Sequence, residues 1–305
     1  MAPKIRSMKP SDLDQVSQID GDSFSDLLTK LYHTKVDLPP HEMEYLRFWQ
    51  SKDQKGAIVE EEGGRINGFV FCHARGRSAW IGPIAVRVGA QGHGIGKRLM
   101  QAGLKNLDEA GVRLVGLDTF AQNPVSVSLY LKCGFQLVGG LLMMAAPCKS
   151  LTANSPIGCA PIALPDLPSI ARMELAATGF DRLMDFEFLL ASGLGAGFVA
   201  REGKRVLGYA FASVRRKSGF IAPVHLQPRC GDAQLVANRL LSACAGWLQG
   251  RSNDDALAFC RGTDLRMLEI LLRAGFRMRS MCVTMHRTGA VGKGPVRTPY
   301  SIEKG

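Results

Sequence analysis

The chain has 305 residues, 46% of them hydrophobic, which is enough for two domains of about 150 residues with separate cores. Lys4 and Arg6 are not followed by an apolar run, so we expect no secretory signal. The longest apolar stretch, residues 188–200, is broken by glycine and is shorter than the roughly 20 residues that cross a bilayer. The eight cysteines are scattered without a Cys-x-x-Cys pair, which predicts reduced thiols, no metal site and a cytoplasmic location.

The formal net charge of +11 suits a phosphorylated ligand or a nucleic acid. A nucleic-acid surface requires concentrated cations interleaved with aromatic side chains. Aromatic residues make up 7% of this chain, and the densest basic run is Arg215–Lys217, in a predicted hairpin. Nucleic-acid binding is therefore disfavoured, and a polyanionic small ligand is favoured.

In chain order, the first half predicts alternating strands and helices that end in a terminal strand or hairpin arm. These elements are a strand at 4–8, a helix capped by Ser11, a helical region at 41–50, strands at 57–61, 68–73 and 79–86, a helix after a glycine-rich loop, a strand at 113–118, a short helix carrying Tyr130, and a strand at 136–144.

The loop between the strand ending at Val86 and the helix beginning near Ile95 is the most informative motif. Gly92, Gly94 and Gly96 let backbone amides approach an anion, and the helix adds unpaired N–H groups and a positive dipole. The alternating glycines match the spacing of neither a P-loop nor a Rossmann loop. By itself the motif predicts an anion site or an ordinary glycine-rich turn.

A second motif follows in the correct order. The first motif, Gln91-Gly92-His93-Gly94-Ile95-Gly96, matches Gln/Arg-x-x-Gly-x-Gly/Ala, and a later series matches Asn, Tyr and Gly-Phe at Asn123, Tyr130 and Gly134-Phe135. Together they resemble the GCN5-related N-acetyltransferase (GNAT) superfamily, and Gly116-Leu117-Asp118 looks like a subgroup with two domains.

The resemblance implies acetyl-CoA as co-substrate and assigns its site. The pyrophosphate is held by the amides of Gln91, Gly92, His93, Gly94, Ile95, Gly96 and Lys97. By the same resemblance, the pantetheine arm and acetyl group are expected against the backbone of Ile84, Ala85 and Val86, where this strand splays from its neighbour, and Asn123 is expected to reach the coenzyme arm. Pro83 is compatible with a bulge at that point.

The second half of the chain repeats features of the first. Ile66-Asn67-Gly68 recurs as Val206-Leu207-Gly208, and Ile81-Gly82-Pro83 recurs as Ile221-Ala222-Pro223 at the same separation. This order predicts a duplicated domain. The first copy has additional residues around 27–46, which are interpreted as a substrate lid, a dimer contact, or simply a longer surface helix and loop.

The second copy lacks the alternating glycines. Its corresponding residues include Asp232, which places a negative charge where a pyrophosphate would bind, and Leu271 replaces the tyrosine. A carboxylate and a phosphate in contact repel each other, since both are negatively charged. The second copy is therefore predicted to bind no coenzyme and to serve as a scaffold or a wall of the substrate cleft.

The resulting prediction is an α+β fold with α/β/α layers. It consists of two tandem GNAT (acyl-CoA N-acyltransferase) folds, each a mixed, mainly antiparallel sheet flanked by helices. The predicted domains are a catalytic domain at 1–146, a linker at 147–161, and a degenerate copy at 162–305. A last strand is expected near residues 300–302.

Tyr130 is the leading catalytic candidate. Its phenol could give a proton or a hydrogen bond to the departing sulfur, or it could simply pack the coenzyme chamber. No carboxylate lies between residues 79 and 88, so the general base is not visible. Asp118 could take the amine proton through water, bind a cationic substrate, or bond the backbone at a strand end. His73 is a further candidate with a more ordinary structural role, and an enzyme without a protein base is also possible.

Three function classes remain open from the sequence. The favoured one is an N-acetyltransferase that transfers the acetyl group of acetyl-CoA to an amine of a small molecule or amino acid by direct attack, with protein lysine as a variant acceptor. The second is a catalytically weak acyl-CoA-binding or regulatory module, and the third is a nucleic-acid-associated protein. The expected partner is a small-molecule amine. No membrane association is expected, and a homodimer is possible.

Overall fold

The computed structural model describes residues 2–152 and 158–288. The chain forms two compact units. Of the described residues, the first unit contains 2–138 and 283–288, and the second contains 139–152 and 158–282. The strand predicted near residues 300–302 lies outside this range.

The helices and strands follow the same order in both copies, which are joined through a short helix (Cys148–Thr152). They are β1 (Lys4–Ser7), α1 (Leu13–Tyr32), α2 (Met43–Lys52), β2 (Ala57–Glu62), β3 (Arg65–Arg75), β4 (Ser78–Val86), α3 (Ile95–Glu109), β5 (Leu114–Phe120), α4 (Pro124–Lys132), β6 (Gln136–Pro147), α5 (Cys148–Thr152), β7 (Cys159–Pro161), α6 (Leu167–Thr178), α7 (Leu183–Ser192), β8 (Gly195–Glu202), β9 (Arg205–Arg215), β10 (Ser218–Leu226), α8 (Ala233–Gln249), β11 (Asp255–Arg261), α9 (Leu265–Arg273) and β12 (Arg277–Thr288). None of the helices in the described ranges is long and apolar enough to cross a membrane.

The sheet of the first unit has the strand order β1-β2-β3-β4-β5-β12. β1 to β4 pair antiparallel, whereas β4 and β5 are parallel and pair only from Ser78↔Leu114 to Trp80↔Gly116. Beyond these pairs, β4 continues to Val86 and β5 continues to Phe120. The expected divergence of β4 from β5 is therefore present and opens one edge of β4.

A register shift in the β3–β4 ladder lies between Val70 and Cys72, opposite Gly82 and Pro83. Proline has no N–H to donate to a ladder, so it is accommodated at such an irregularity. The second unit repeats this shift between Ile221 and Val224.

Helix α3 packs its apolar face on the sheet of the first unit. Leu99 and Leu107 are buried at i and i+8, and Gly103 lies so close to β3 that an added Cβ would come within 2.6 Å of the Cys72 sulfur. Burial of each such leucine contributes about 1.5–3 kcal/mol. This close packing places the N-terminus of α3 directly beside the open edge of β4.

The last strand of each unit comes from the other copy of the repeat. In the first unit, Met285 of β12 is fully buried in the same core cluster as Leu99 and Tyr130. In the second unit, β6 pairs antiparallel with β11, from Leu141↔Arg261 to Pro147↔Asp255. The predicted domain boundaries at residues 146 and 162 left β6 in the first domain and β12 in the second. The compact units differ, because most of β6 belongs to the second unit and the end of β12 belongs to the first. A strand pattern in the sequence does not say which edge the strand joins.

The predicted linker, 147–161, is partly built into the second unit. Helix α5 buries Cys148 and Leu151 in the core of that unit, and β7 pairs with β8 through Cys159↔Ala200. The interpretation of the segment as irregular is corrected for these residues, because an apolar side chain on a short helix is enough to dock it on a core.

The second unit has the strand order β6-β11-β10-β9-β8-β7 and repeats the architecture. Its β10 and β11 are parallel and pair only at Gly219↔Ala256 and Phe220↔Leu257. Glu60 pairs with Gly68 in the first unit, and Ala200 pairs with Gly208 in the second. This equal register confirms that the two halves repeat one fold.

Candidate active site

A cavity of about 650 Å³ lies in the first unit, where β4 diverges from β5. It is bounded by α1, by the open edge of β4, by the loop of residues 87–94 (the glycine loop) with the start of α3, and by α4. Of the residues predicted to bind the coenzyme, the structure places in its wall Ile84, Ala85, Val86, Gln91, Gly92, Gly94, Ile95, Gly96, Lys97, Asn123 and Tyr130. His93 belongs to the glycine loop but is not in this wall.

The glycine loop turns through three left-handed glycines. Gly89, Gly92 and Gly94 have φ of 88°, 83° and 76°, values that residues with a Cβ rarely adopt. Gly94 is the N-cap of α3 and has no side chain with which to cap it. The first N–H groups of α3 are therefore presented to the cavity together with the positive end of the helix dipole.

The edge of β4 presents backbone groups to the same cavity. On the side facing β3, Arg87 donates from its N–H to the Asn67 carbonyl at 2.8 Å, and Ala85 pairs with Phe69. Because successive residues of an antiparallel strand direct their N–H and C=O groups to opposite edges, the backbone groups of Ile84 and Val86 point away from β3. The Val86 carbonyl accepts from Ser23 Oγ at 2.9 Å and from Gln91 Nε2 at 3.3 Å. The Val86 amide and the Ile84 backbone thus face the cavity.

Tyr130 lies in the cavity wall, and 6% of its surface is exposed. Its ring packs on Phe135 with centroids 6.2 Å apart. Burial raises its pKa to about 12, against a weaker opposing effect of a hydrogen bond with Ser126. The phenol is therefore protonated at neutral pH, as a hydrogen-bond donor must be.

The Asn123 side chain caps helix α4. Its Oδ1 accepts from the Ser126 N–H at 3.2 Å, and its Nδ2 donates to Ser126 Oγ at 2.7 Å. Asn123 lies in the cavity wall, but these bonds give its side chain a local partner that the sequence motif did not indicate.

Asp118 and His73 are not in the cavity wall. Asp118 Oδ1 accepts from Thr284 Oγ1 at 2.6 Å. His73 is fully buried, with Nδ1 2.7 Å from Asp53 Oδ2 and Nε2 2.7 Å from the Gly82 carbonyl oxygen. These partners favour the structural alternative for both residues.

Helix α1 supplies cavity residues that sequence reasoning did not assign. Asp26 and Lys30 line the cavity and form an ion pair, with Nζ 2.7 Å from Oδ2. Lys30 joins Lys97 and Lys132 in the wall, which is a suitable charge for a phosphorylated ligand. The only signal for them in the sequence was the insertion around residues 27–46.

The insertion itself is a longer helix and loop. α1 has 20 residues against 12 in α6, and the following loop spans residues 33–42 against 179–182. Ser25 Oγ accepts from the Leu38 N–H and Thr29 Oγ1 from the Val36 N–H, each at 2.9 Å. Asp20 Oδ2 accepts from both the N–H and Nδ1 of His41, also at 2.9 Å. Three side chains of α1, those of Asp20, Ser25 and Thr29, thus hydrogen-bond to the following loop. These bonds favour a fixed wall over a moving lid.

In the second unit, the space that corresponds to part of this site is small. This space, between β10 and β11, has a volume of about 10 Å³ and is lined by apolar side chains, including Phe259, Met267 and Leu271. Helix α8 is capped by Asp232, whose Oδ1 accepts from the Leu235 N–H at 3.0 Å. A carboxylate thus occupies the helix N-terminus that an anion would need.

Comparisons with known proteins agree with this geometry. Residues 16–135 match the model of the acetyltransferase (GNAT) family. Two mycothiol acetyltransferases are similar over 85 residues: the protein of Streptomyces avermitilis is 35% identical, with 27% of this chain and 28% of the relative covered, and that of Pseudarthrobacter chlorophenolicus is 44% identical, with 26% of each covered. The chain therefore spans little more than a quarter of the length of these relatives.

Solved structures share the fold over nearly the whole chain. A putative acetyltransferase from Pyrococcus horikoshii has a TM-score of 0.72 at 16% identity, covering 98% of this chain and 92% of that one. A tandem GNAT protein from the clavulanic acid biosynthesis pathway has a TM-score of 0.64 at 12% identity, covering 96% of this chain and 100% of that one. The fold is that of tandem GNAT proteins.

Residues 16–135 thus match the GNAT family model, and the described chain carries two tandem copies of the GNAT fold.

Proposed function

We propose that the chain is an N-acetyltransferase that transfers an acetyl group from acetyl-CoA to an amine of a small molecule or amino acid, in the first unit. The observation that carries the proposal is the cavity between the open edge of β4 and the glycine-capped N-terminus of α3. Such a site offers backbone hydrogen bonds to an amide-containing arm and N–H groups to a phosphate.

The residues present fit acetyl-CoA. A pyrophosphate needs convergent N–H donors and positive charge, which the start of α3 and Lys97 supply, whereas a pantetheine arm needs alternating donors and acceptors, which Ile84 and Val86 supply. The coenzyme, when bound, supplies an activated thioester.

In this proposal Tyr130 donates a hydrogen bond to the departing sulfur. Complete proton transfer from a phenol with a pKa of about 12 to a thiolate of ordinary basicity would be uphill by about 5 kcal/mol. Tyr130 therefore stabilises the charge that develops on sulfur and keeps its own proton.

We assign no protein side chain as general base. Asp26 is a carboxylate in the cavity wall, but it is paired with Lys30, and Asp118 is bonded by Thr284. In this proposal the neutral amine attacks the thioester carbonyl, a C–N bond forms as the C–S bond breaks, the coenzyme leaves as the thiolate, and the proton that the amine loses passes to water. The rate therefore rises with pH until the amine is deprotonated.

The relatives support acetyl transfer and leave the acceptor open. Mycothiol is the acceptor that the names of the curated relatives indicate for those proteins, but the similar part covers only about a quarter of each. A cytoplasmic location is proposed because the eight cysteines are free thiols.

The test combines calorimetry with acetyl-CoA and thiol release against a panel of amines. We expect one coenzyme per chain and turnover with at least one small amine. Binding without turnover on any amine or lysine peptide would favour the acyl-CoA-binding module, and no binding would overturn the proposal.

A matched pair of glycine variants locates the binding. Gly92 and Gly231 both have left-handed φ, 83° and 74°, and a Cβ added at either position would meet no atom within 4 Å, so alanine costs each about 1 kcal/mol of strain. Gly92→Ala is expected to weaken coenzyme binding, while Gly231→Ala leaves it unchanged. The opposite pattern would place the coenzyme in the second unit.

A further inference from the structure

We propose that Glu60 and Arg98 are positioning residues that hold the glycine loop in its anion-binding conformation before the coenzyme arrives. The inference rests on the proposed function for the identity of the ligand. It concerns an ion pair outside the cavity wall that touches the loop from behind.

The geometry of the pair is bidentate. Arg98 donates from Nε to Glu60 Oε2 at 2.8 Å and from Nη2 to Glu60 Oε1 at 2.7 Å. The carboxylate lies on β2 and is 2% exposed, so it forms a fixed anchor in the sheet. A planar guanidinium held by two parallel bonds has little freedom of orientation.

The remaining terminal nitrogen of Arg98 reaches the loop. Its Nη1 donates to the His93 carbonyl at 2.9 Å. Because a trans peptide is planar, a carbonyl oxygen and the next N–H point in opposite directions. Holding the His93 oxygen on Arg98 therefore turns the Gly94 N–H away from Arg98, and Gly94 lies in the cavity wall. The same bond removes a partially negative oxygen from the anion site.

The second copy provides an internal comparison. Ala200 has the ladder position of Glu60, as its pairing with Gly208 shows. Leu99 and Leu240 lie against Gly68 and Gly208 respectively, so Arg239 has the helix position of Arg98. The arginine is kept, but the carboxylate that would orient it is replaced, and in this copy α8 begins at Ala233, almost one turn earlier than α3 by this match. The ion pair accompanies the glycine loop and is lost with it.

The test uses Glu60→Gln and Arg98→Lys, with two measurements. Hydrogen–deuterium exchange of residues 87–97, without coenzyme, is expected to be faster in both variants, while exchange in β3 stays at the parent rate and shows that the fold is intact. Coenzyme A binding by calorimetry is expected to weaken by about tenfold in each. Turnover at saturating acetyl-CoA should stay within a factor of two, because neither residue touches the reacting atoms.

A control lies on the same helix. Lys105 and Glu109 form an exposed pair at 3.9 Å that does not contact the loop, so Glu109→Gln should change neither measurement. If Arg98 instead binds the phosphate directly, Arg98→Lys weakens binding while Glu60→Gln leaves both binding and loop exchange unchanged, which would overturn the proposal. Parent-rate loop exchange in both variants would overturn it as well. Failure of the parent protein to bind coenzyme A would refute the proposed function, whereas the exchange result would still decide whether the pair orders the loop.

Discussion

At the scale of single residues, burial decides what Tyr130 can do. A phenol that is 6% exposed with a pKa of about 12 stays protonated across the range in which an acetyltransferase would be assayed. This makes Tyr130 a steady hydrogen-bond donor.

Replacing the phenol tests this role. Tyr130→Phe is expected to lower kcat about 100-fold, while the dissociation constant for coenzyme A changes by less than about threefold, because the ring still packs on Phe135. Steady-state kinetics and calorimetry measure the two effects. Equal turnover in variant and parent would remove Tyr130 from the mechanism.

The raised pKa also predicts a pH dependence. Tyr130 loses its proton only near pH 12, so its contribution to the rate is retained through pH 10 and is lost as the pH rises through about 12. Between pH 6 and 10 the rate–pH profiles of Tyr130→Phe and the parent should therefore have the same shape and differ in height. A limb near neutral pH that disappears in the variant would contradict this assignment.

Asp118 is the second residue whose role depends on its partner. Asp118→Asn is expected to keep the rate–pH profile and to lower the free energy of unfolding by about 1–2 kcal/mol, because the bond from Thr284 loses its charged acceptor. Denaturant unfolding and the pH profile measure the two outcomes. Loss of one limb of the profile would instead assign Asp118 as the base.

At the scale of elements, the longest helix of the first unit and its following loop act together. The hydroxyls of Ser25 and Thr29 each bond both the N–H and the carbonyl of a loop residue, so residues 36–38 run along α1. The last turns of α1, with Asp26, Leu27 and Lys30, are thereby held over the cavity.

Removing both hydroxyls should free the loop. Ser25→Ala with Thr29→Ala is expected to speed amide exchange at Val36 and Leu38 and to raise KM for the amine more than KM for acetyl-CoA, because the glycine loop is untouched. Ser51→Ala, which removes an exposed hydroxyl bonded to the Phe48 carbonyl on α2, is the control. Unchanged exchange in the double variant would show that the loop is held by other contacts.

At the scale of the whole molecule, the first unit depends on a strand segment that is distant in sequence. The first unit takes residues 283–288 from the end of the described chain, and Arg287 forms a bidentate pair with Asp108 at 3.0 and 2.9 Å. A fragment that ends at residue 146 would lack this strand.

Two methionines on the same strand test the dependence. Met285→Ala removes a fully buried side chain from the core of the first unit and should cost about 2–5 kcal/mol, measured by denaturant unfolding. Met281→Ala, at a position that is 39% exposed, should cost less than about 0.5 kcal/mol. Similar losses of unfolding free energy in the two variants would mean that the burial of Met285 does not stabilise the first unit.

Much of the fold was predictable because its signals are local. The glycine loop, the amphipathic face of α3 and the repeated segments ending at Gly68 and Gly208 depend on residues within a few positions of one another. The wall contributed by α1 was noticed only as an insertion, since nothing in residues 26–30 states which cavity they border. Likewise, Asp118 was recognisable as a strand-end carboxylate but its partner, Thr284, was not.

The amino-acid sequence alone determined that two copies of one fold are present, and it predicted an anion-binding loop in the first copy and the loss of that loop in the second. These are properties of short segments, in which glycine conformations and side-chain periodicity act locally. The tertiary structure alone decided which strand completes each sheet, which carboxylates are bonded away from the cavity, and that Glu60 supports the loop through Arg98. Those outcomes depend on contacts between residues far apart in the chain, where pairing edges and charge partners are chosen by packing.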